Sequence, residues 1–230
     1  MKKLAIMQPY LFPYLGYFQL MNAVDQYVIY DDVQFIKGGW ISRNNILMQG
    51  QKKAFAIRLL GASPNRLINE VQIDDDFGKF LKMIASSYAR APYKQPVLEL
   101  LETISAFPDK NLAGFITNSF TEIAKYIGIK TDLIVSSKLK KDTSLKGQDK
   151  VLAICAELDV DVYINAIGGQ DLYSRSDFEA KGIQLKFLKT DPVTYPQLIS
   201  GFVPDLSIID VFMFNSPQEV SALLDRYELV

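Results

Sequence analysis

Histidine is absent from this 230-residue chain, and cysteine occurs once, as Cys155. The first absence excludes a His-dependent catalytic triad, a His-ligated metal and an imidazole proton shuttle. The second excludes an internal disulfide and a cysteine-rich zinc site. Acid–base work therefore falls to Asp, Glu, Lys, Tyr, Cys or the substrate itself. No tightly bound zinc or copper and no resident cofactor is expected; magnesium, held by carboxylates, water and substrate phosphates, is the metal this residue set admits. An excess of either charge is lacking too. Lys+Arg 25 against Asp+Glu 26 leaves a net charge of −1, which removes the general attraction expected of a nucleic-acid binder or a membrane-surface protein. No run approaches the ~18–20 apolar residues of a membrane span. The start has two lysines followed by apolar residues, but Gln8, Pro9 and Pro13 interrupt them and no small-residue cleavage site follows. A cytoplasmic protein is expected.

Apolar and aromatic residues are plentiful: 49% of the chain is hydrophobic, with 14 Phe and 12 Tyr beside the single Trp40. That is enough to bury a substantial core, so disorder is excluded as the main state. Leu4 to Met7 reads as a buried strand, ended by Pro9 and Pro13. A helix opens near Pro13 or Tyr14, and Tyr27 to Tyr30 is the next strand, closed by Asp31-Asp32. Between Phe35 and Ile57 two apolar stretches flank the turn signal at Gly50, as in a hairpin. From Phe77 to Ile127 the period becomes helical; Pro92, Pro96 and Pro108 divide the stretch into about three helices, with Gly128 as a stop. A second strand–helix–strand unit follows: Asp132–Val135, Lys146 to Glu157, and Val162–Ile164. A short helix over Asp177 to Lys181, a strand over Gln184 to Leu188 and a terminal helix over Pro217 to Tyr227 complete the reading. The expected fold is α/β, with two strand–loop–helix–strand units in a mostly parallel or mixed sheet. A β-hairpin and a helical insertion over about residues 77–128 complete one domain spanning 1–230.

In α/β sheets ligands bind outside the carboxyl ends of strands, and four segments fall there. The first follows the opening strand and offers Gln8, the hydroxyls of Tyr10 and Tyr14, and Gly16 for close backbone approach; tight packing of the turn is the competing account. In the second, Asp31 and Asp32 precede Lys37, Trp40, Arg43 and Asn44. Neighbouring carboxylates can act as a base, hold magnesium or bind substrate amines and hydroxyls. Arg43 can grip a phosphate and Trp40 can form a stacking platform; loop capping with surface neutralisation is the alternative. The third holds Ser137 and Lys138, followed by Lys140, Lys141, Lys146 and Lys150. These are phosphate-site ingredients without the Walker spacing, and equally those of a solvated loop. The fourth is Asn165, Gly168, Gly169, Asp171 and Tyr173, where glycine backbone can admit a pyrophosphate or a sugar, or simply turn. Gln8, Tyr14, Asp31, Asp32, Arg43, Asn165 and Asp171 are expected to share one cleft. Cys155 lies on the apolar side of its helix as core filler. Asp74-Asp75-Asp76 reads as a helix start more simply than as a metal site.

Four stretches together resemble the WbqC-like family over nearly the whole chain. They are Gln8 to Phe18 (QPYLFPYLGYF), Tyr30 to Lys37 with Trp40 and Arg43-Asn44, Tyr163 to Asp171 with Tyr173, and Pro204 to Asp210 with Phe214-Asn215. Many members carry His where this chain has Met7, and no established mechanism comes with the resemblance. It implies bacterial surface-polysaccharide (O-antigen) biosynthesis and transfer of a small acyl or aminoacyl group to a nucleotide-linked amino sugar. On that reading Asp31 or Asp32 deprotonates or orients the amine, Arg43 and Lys138 bind phosphates, and Tyr10, Tyr14, Asn165 and Asp171 hold the sugar. The expected partner is a small phosphate-containing substrate. A nucleotidyl-transfer-like enzyme, although its usual histidine-containing signature is absent, and a non-catalytic nucleotide-sugar binder are the alternatives.

Overall fold

A computed structural model describes all residues, 1–230. In chain order the elements are β1 (Lys3–Met7), α1 (Leu15–Asn22), β2 (Gln26–Ile29), β3 (Arg43–Met48), β4 (Gln51–Ala56), β5 (Leu59–Leu60), β6 (Gln72–Ile73), α2 (Gly78–Ser87), α3 (Lys94–Ser105), α4 (Leu112–Ile127), β7 (Asp132–Val135), α5 (Gly147–Glu157), β8 (Val162–Ala166), α6 (Arg175–Glu179), β9 (Gln184–Thr190), α7 (Ile208–Phe214), α8 (Pro217–Leu223) and β10 (Tyr227–Leu229). The main sheet has the order β10-β9-β8-β1-β2-β7. All its pairings are parallel except that of β10 with β9.

Apolar strands with helices on both faces account for the two cores. On one face α1 and the helical insertion pack Phe18, Leu20, Phe115 and Phe120 against Ala5, Tyr27 and Ile164. On the other, Val151, Ile154 and Cys155 of α5 and Phe178 of α6 meet Leu4, Val28 and Leu185. Alternate strand residues thus face opposite layers, as the pleat requires. The mixed α/β fold, the mostly parallel sheet and the hairpin are as the sequence indicates. Gln49 and Gly50, both at positive φ, form the two-residue turn between β3 and β4. Helices α2, α3 and α4 fill 78–127. Pro96 falls in the first turn of α3, where a missing N–H costs nothing. Asp75 and Asp76 accept from the backbone N–H groups of Phe77 and Gly78 at the start of α2.

The short paired strands β5 and β6 are absent from the sequence reading, and two further elements differ from it. The terminal helix ends at Leu223, and the chain returns as the edge strand β10. Helix α7 is not anticipated: six of its seven residues are buried, so IIDVFMF shows no helical periodicity. Its Asp210 is fully buried and accepts from Tyr88, Tyr195 and Gln197 at 2.7–2.8 Å. Through the last two, α7 ties down the 191–206 segment that leaves β9.

Candidate functional site

The chain leaves β1 toward β2 and β7 on one side, and returns to β8 and β9 on the other. Such a reversal of strand order opens a crevice at the carboxyl ends, here between β1 and β8. The register places it there as well: β1 and β8 pair only at Lys3–Val162 and Leu4–Tyr163. Past those residues the two strands share no ladder, and Gln8 and Asn165 stand at the mouth. By contrast β1 pairs with β2 through Met7–Ile29.

One group of expected site residues gathers where β2, β7 and β8 end. Asp31, 2% exposed, accepts from the Ser137 N–H (2.9 Å), the Ser137 hydroxyl (2.6 Å) and Asn69 Nδ2 (3.2 Å). Asp32 turns to other partners: its Oδ2 lies 3.0 Å from Lys141 Nζ and 3.1 Å from Lys150 Nζ. Both lysines are almost completely buried, and each also donates to a main-chain carbonyl, of Ser136 and Asp32 respectively. Burial pushes the Asp32 carboxyl up; the Ser136 hydroxyl and the two ammonium groups outweigh it and hold Asp32 below the ordinary aspartate value. Two ammonium groups face the one Asp32 carboxylate beneath the 136–141 segment, and the neighbouring Asp31 carboxylate brings the group into formal balance. Ser137 and Lys138 stand exposed above it.

Tyr30 and Tyr173 extend this group toward the crevice. Lys150 Nζ lies 5.1 Å from the centre of the Tyr30 ring, a cation–π arrangement. Tyr173 accepts from Tyr163 at 3.3 Å. Burial raises both the Tyr30 and the Tyr173 phenols, keeping them neutral donors at pH 7. Asn165 is buried and its Oδ1 accepts from the Ala166 N–H. Its Nδ2 would lie 3.0 Å from a Cβ built on Gly169, so glycine permits this close approach. Gly168 and Asp171 are exposed.

A second group lies on the other side of the Gln8–Tyr14 segment. A cavity of about 380 Å³ is lined by Tyr10, Tyr14, Trp40, Asn44, Lys52 and Asp205. The Arg43 guanidinium sits 5.4 Å from the centre of the Trp40 ring. Lys37 is exposed in the turn before Trp40. Asn44 is a clamp: its Nδ2 donates to the carbonyls of Leu11 and Phe12, and its Oδ1 accepts from Asn45 N–H. Phe12, with φ of +43°, receives a second donor from the Ser207 hydroxyl. A non-glycine residue in that strained conformation is held by its surroundings. The Gln8 carbonyl accepts from Tyr17 at 2.8 Å, and the Tyr17 ring meets that of Tyr10 at 5.7 Å. Of the seven residues expected in one cleft, Asp31, Asp32 and Asn165 stand in the first group and Tyr14 and Arg43 in the second; Gln8 lies on the segment between them, and Asp171 is exposed.

Asn69 is the residue of this site that the sequence reading did not single out, and Lys141 and Lys150 figure in it only as members of a lysine-rich segment, without their pairing to Asp32. The signal for Lys150 is its position four residues before the buried Ile154, which puts it on the inward face of α5. Lys141, in a polar loop, carries no such signal.

The mostly parallel sheet with helices on both faces defines a doubly wound α/β protein whose strand order reverses between β1 and β8. The WbqC-like protein family model matches residues 8–222, and the chain belongs to this family. It is also similar to an uncharacterized protein of Mycobacterium tuberculosis, with 28% identity over 99% of both chains. No solved structure matches it. No helix is long and apolar enough to cross a membrane.

Proposed function

We propose that this chain binds a nucleotide-linked amino sugar along the carboxyl edge of its sheet and transfers a small acyl or aminoacyl group to the sugar's amine. This would be a cytoplasmic step of bacterial surface-polysaccharide (O-antigen) biosynthesis. The observation that carries the reading is the buried Lys141–Asp32–Lys150 cluster at the carboxyl edge of the sheet, where two ammonium groups lie beneath the exposed Ser137 and Lys138. A buried charge acts through a low-dielectric medium and attracts a phosphate more strongly than a solvated lysine does. Ser137 and Lys138 supply exposed donors above it. Asn165, Tyr30 and Tyr173 offer neutral groups toward the sugar, and Trp40 with Arg43 a platform on the far side.

Asp31 and Asp32 receive the orienting role in this proposal, not that of the base. The Asp32 carboxylate, pinned between two ammonium groups and held below the ordinary aspartate value, is a poor proton acceptor. Asp31 instead fixes the Ser137 hydroxyl. Magnesium enters only with substrate phosphates.

Calorimetry with a nucleoside diphosphate, a nucleotide-linked sugar and a nucleotide-linked amino sugar tests the binding step. Binding that weakens at least about tenfold in the Ser137→Ala, Lys138→Ala double variant is the expected result. Failure of all three to bind at millimolar concentration refutes the reading. Mass spectrometry of the amino sugar after incubation with acyl donors then tests transfer. The strand order, with the first strand central and the chain winding away on both sides, favours nucleotidyl transfer as a second reading. Release of pyrophosphate from a nucleoside triphosphate would support it. Binding without turnover would leave a nucleotide-sugar binder.

A further inference from the structure

A cavity of about 370 Å³ lies between the start of α1, the end of β9 and the 191–206 segment. We infer that it holds the amine-bearing sugar ring of the substrate, with the Asp191 and Asp205 carboxylates receiving the ammonium group. The inference rests on the function proposed above and supplies it with an acceptor subsite.

Charge gives the first argument. Among the lining residues are two carboxylates and no lysine or arginine. Each carboxylate has a cation only outside this lining, Arg226 for Asp191 and Lys52 for Asp205, both at 3.5 Å and both pairs exposed. Exposed pairs of this kind are weak, so either carboxylate can turn to a ligand cation at little cost. An anion would meet repulsion here; a neutral polyol would gain hydrogen bonds from the carboxylates but not the charge attraction that an ammonium group adds.

Gln19 gives the second, independent argument. It lines the same cavity, is 0% exposed, and spends its Nε2 on the carbonyls of Leu223 and Arg226. Its Oε1 has no hydrogen-bond partner. A buried acceptor left unpaired is costly, and a donor on a bound ligand removes that cost. The hydroxyls of Thr190, Tyr14 and Tyr195 are further partners for a hydroxylated ring, and Phe202 provides an apolar wall.

Position gives the third. Thr190 ends β9, so the cavity opens on the same carboxyl edge as the crevice. Strands lie ~4.8 Å apart, and β9 is three places from β2 in the sheet. The amine subsite and the lysine cluster are thus separated by roughly 14 Å across the edge, with the crevice between them. Tyr14 and Asp205 also line the aromatic cavity of Trp40, so a donor bound there would meet the amine at their shared wall. Transfer then forms the bond from amine nitrogen to acyl carbon and breaks the bond from that carbon to the donor's leaving group. Of the two protons the ammonium sheds on becoming an amide, one passes to Asp205 or Asp191 and the other leaves with the donor's leaving group.

The 230-residue chain is titrated with glucosamine, glucose and N-acetylglucosamine, with and without a saturating nucleoside diphosphate. Glucosamine is expected to bind at least about tenfold more tightly than the two neutral sugars. Asp191→Asn and Asp205→Asn should each remove most of that preference without lowering the melting temperature or diphosphate binding, since the two side chains are 41% and 82% exposed. Equal binding of the three sugars, a preference retained in the double variant, or no glucosamine binding at millimolar concentration overturns the inference. Diphosphate binding that persists in those cases leaves the phosphate reading standing. Loss of diphosphate binding with the amine preference intact refutes the phosphate reading alone.

Discussion

Lys150 holds Asp32 at two points: its Nζ lies 3.1 Å from the carboxylate Oδ2 and donates to the Asp32 main-chain carbonyl at 2.6 Å. Helix α5, on one face of the sheet, is thereby fastened to the segment leaving β2. With Lys141 on the same carboxylate oxygen, the segment after β2, the segment after β7 and helix α5 share one charge cluster.

Removing the shared anion should cost more than removing either cation. Asp32→Asn leaves two buried ammonium groups without a counter-charge, a loss of roughly 3–5 kcal/mol. Lys150→Met leaves the Lys141–Asp32 pair neutral as a unit and should cost less. Urea denaturation of both variants checks the order; the reverse order would show that Asp32 does not hold the cluster together. The pH dependence has a definite sign. The folded Asp32 carboxyl lies below its ordinary value, so its contribution is present above the ordinary aspartate range and disappears as pH falls through the folded value. The gap between the parent and Asp32→Asn should narrow only at that acid end.

Asn44 and Ser207 both donate to the Phe12 carbonyl, at 2.7 Å each. Either alanine substitution should cost about 1–3 kcal/mol. Because the two act on one atom, the double variant should depart from additivity by at least about 0.5 kcal/mol. A double-mutant cycle measured by denaturation decides this. Strict additivity would mean that the left-handed Phe12 is held by something other than the clamp.

The parts of the fold that follow from local rules were legible in the sequence. Asn111 caps α4 and Gly128, at φ +80°, ends it; Ser216, Pro217 and Glu219 form a capping box at α8; Gly50 turns the hairpin. These signals lie within a few residues of what they determine. Helix α7 was not legible because burial on all sides erases periodicity. The site was legible as segments at strand ends, since strand ends can be read from composition. Its division into two groups was not, because that depends on which strands become neighbours. The same reason hid the cluster around Asp32: Lys141 and Lys150 are 109 and 118 positions away along the chain, and only the placement of β7 beside β2 brings them together.

Cys155 should be chemically silent in the folded protein. It is fully buried in the second core, and burial pushes its thiol up to about 12. A thiolate is the reactive form, so a thiol reagent at pH 8 should label the chain only under denaturing conditions. Labelling at the rate of an exposed cysteine would mean that α5 opens from the sheet in the native state. Cys155→Ala should retain ligand binding, with a stability loss of about 1–2 kcal/mol from the small cavity it leaves.

Gly16 closes α1 against the end of β9. A Cβ at this position would come within 2.5 Å of Tyr14 Cε2 and 2.8 Å of Thr190 Cγ2. Gly16→Ala should therefore cost about 1–3 kcal/mol through overpacking, although alanine is the better helix former by about 1 kcal/mol. The two contacts differ in how easily they yield. Tyr14 is 41% exposed and its ring can swing outward, whereas Thr190 belongs to the strand. Thr190→Ser removes the methyl group and should recover part of the loss. The recovery is read as a coupling energy between Gly16→Ala and Thr190→Ser in thermal or urea unfolding. Absence of coupling would place the cost elsewhere. In both alanine backgrounds the Tyr14 ring is displaced from the wall it shares between the two cavities, so glucosamine binding should weaken even where stability is recovered.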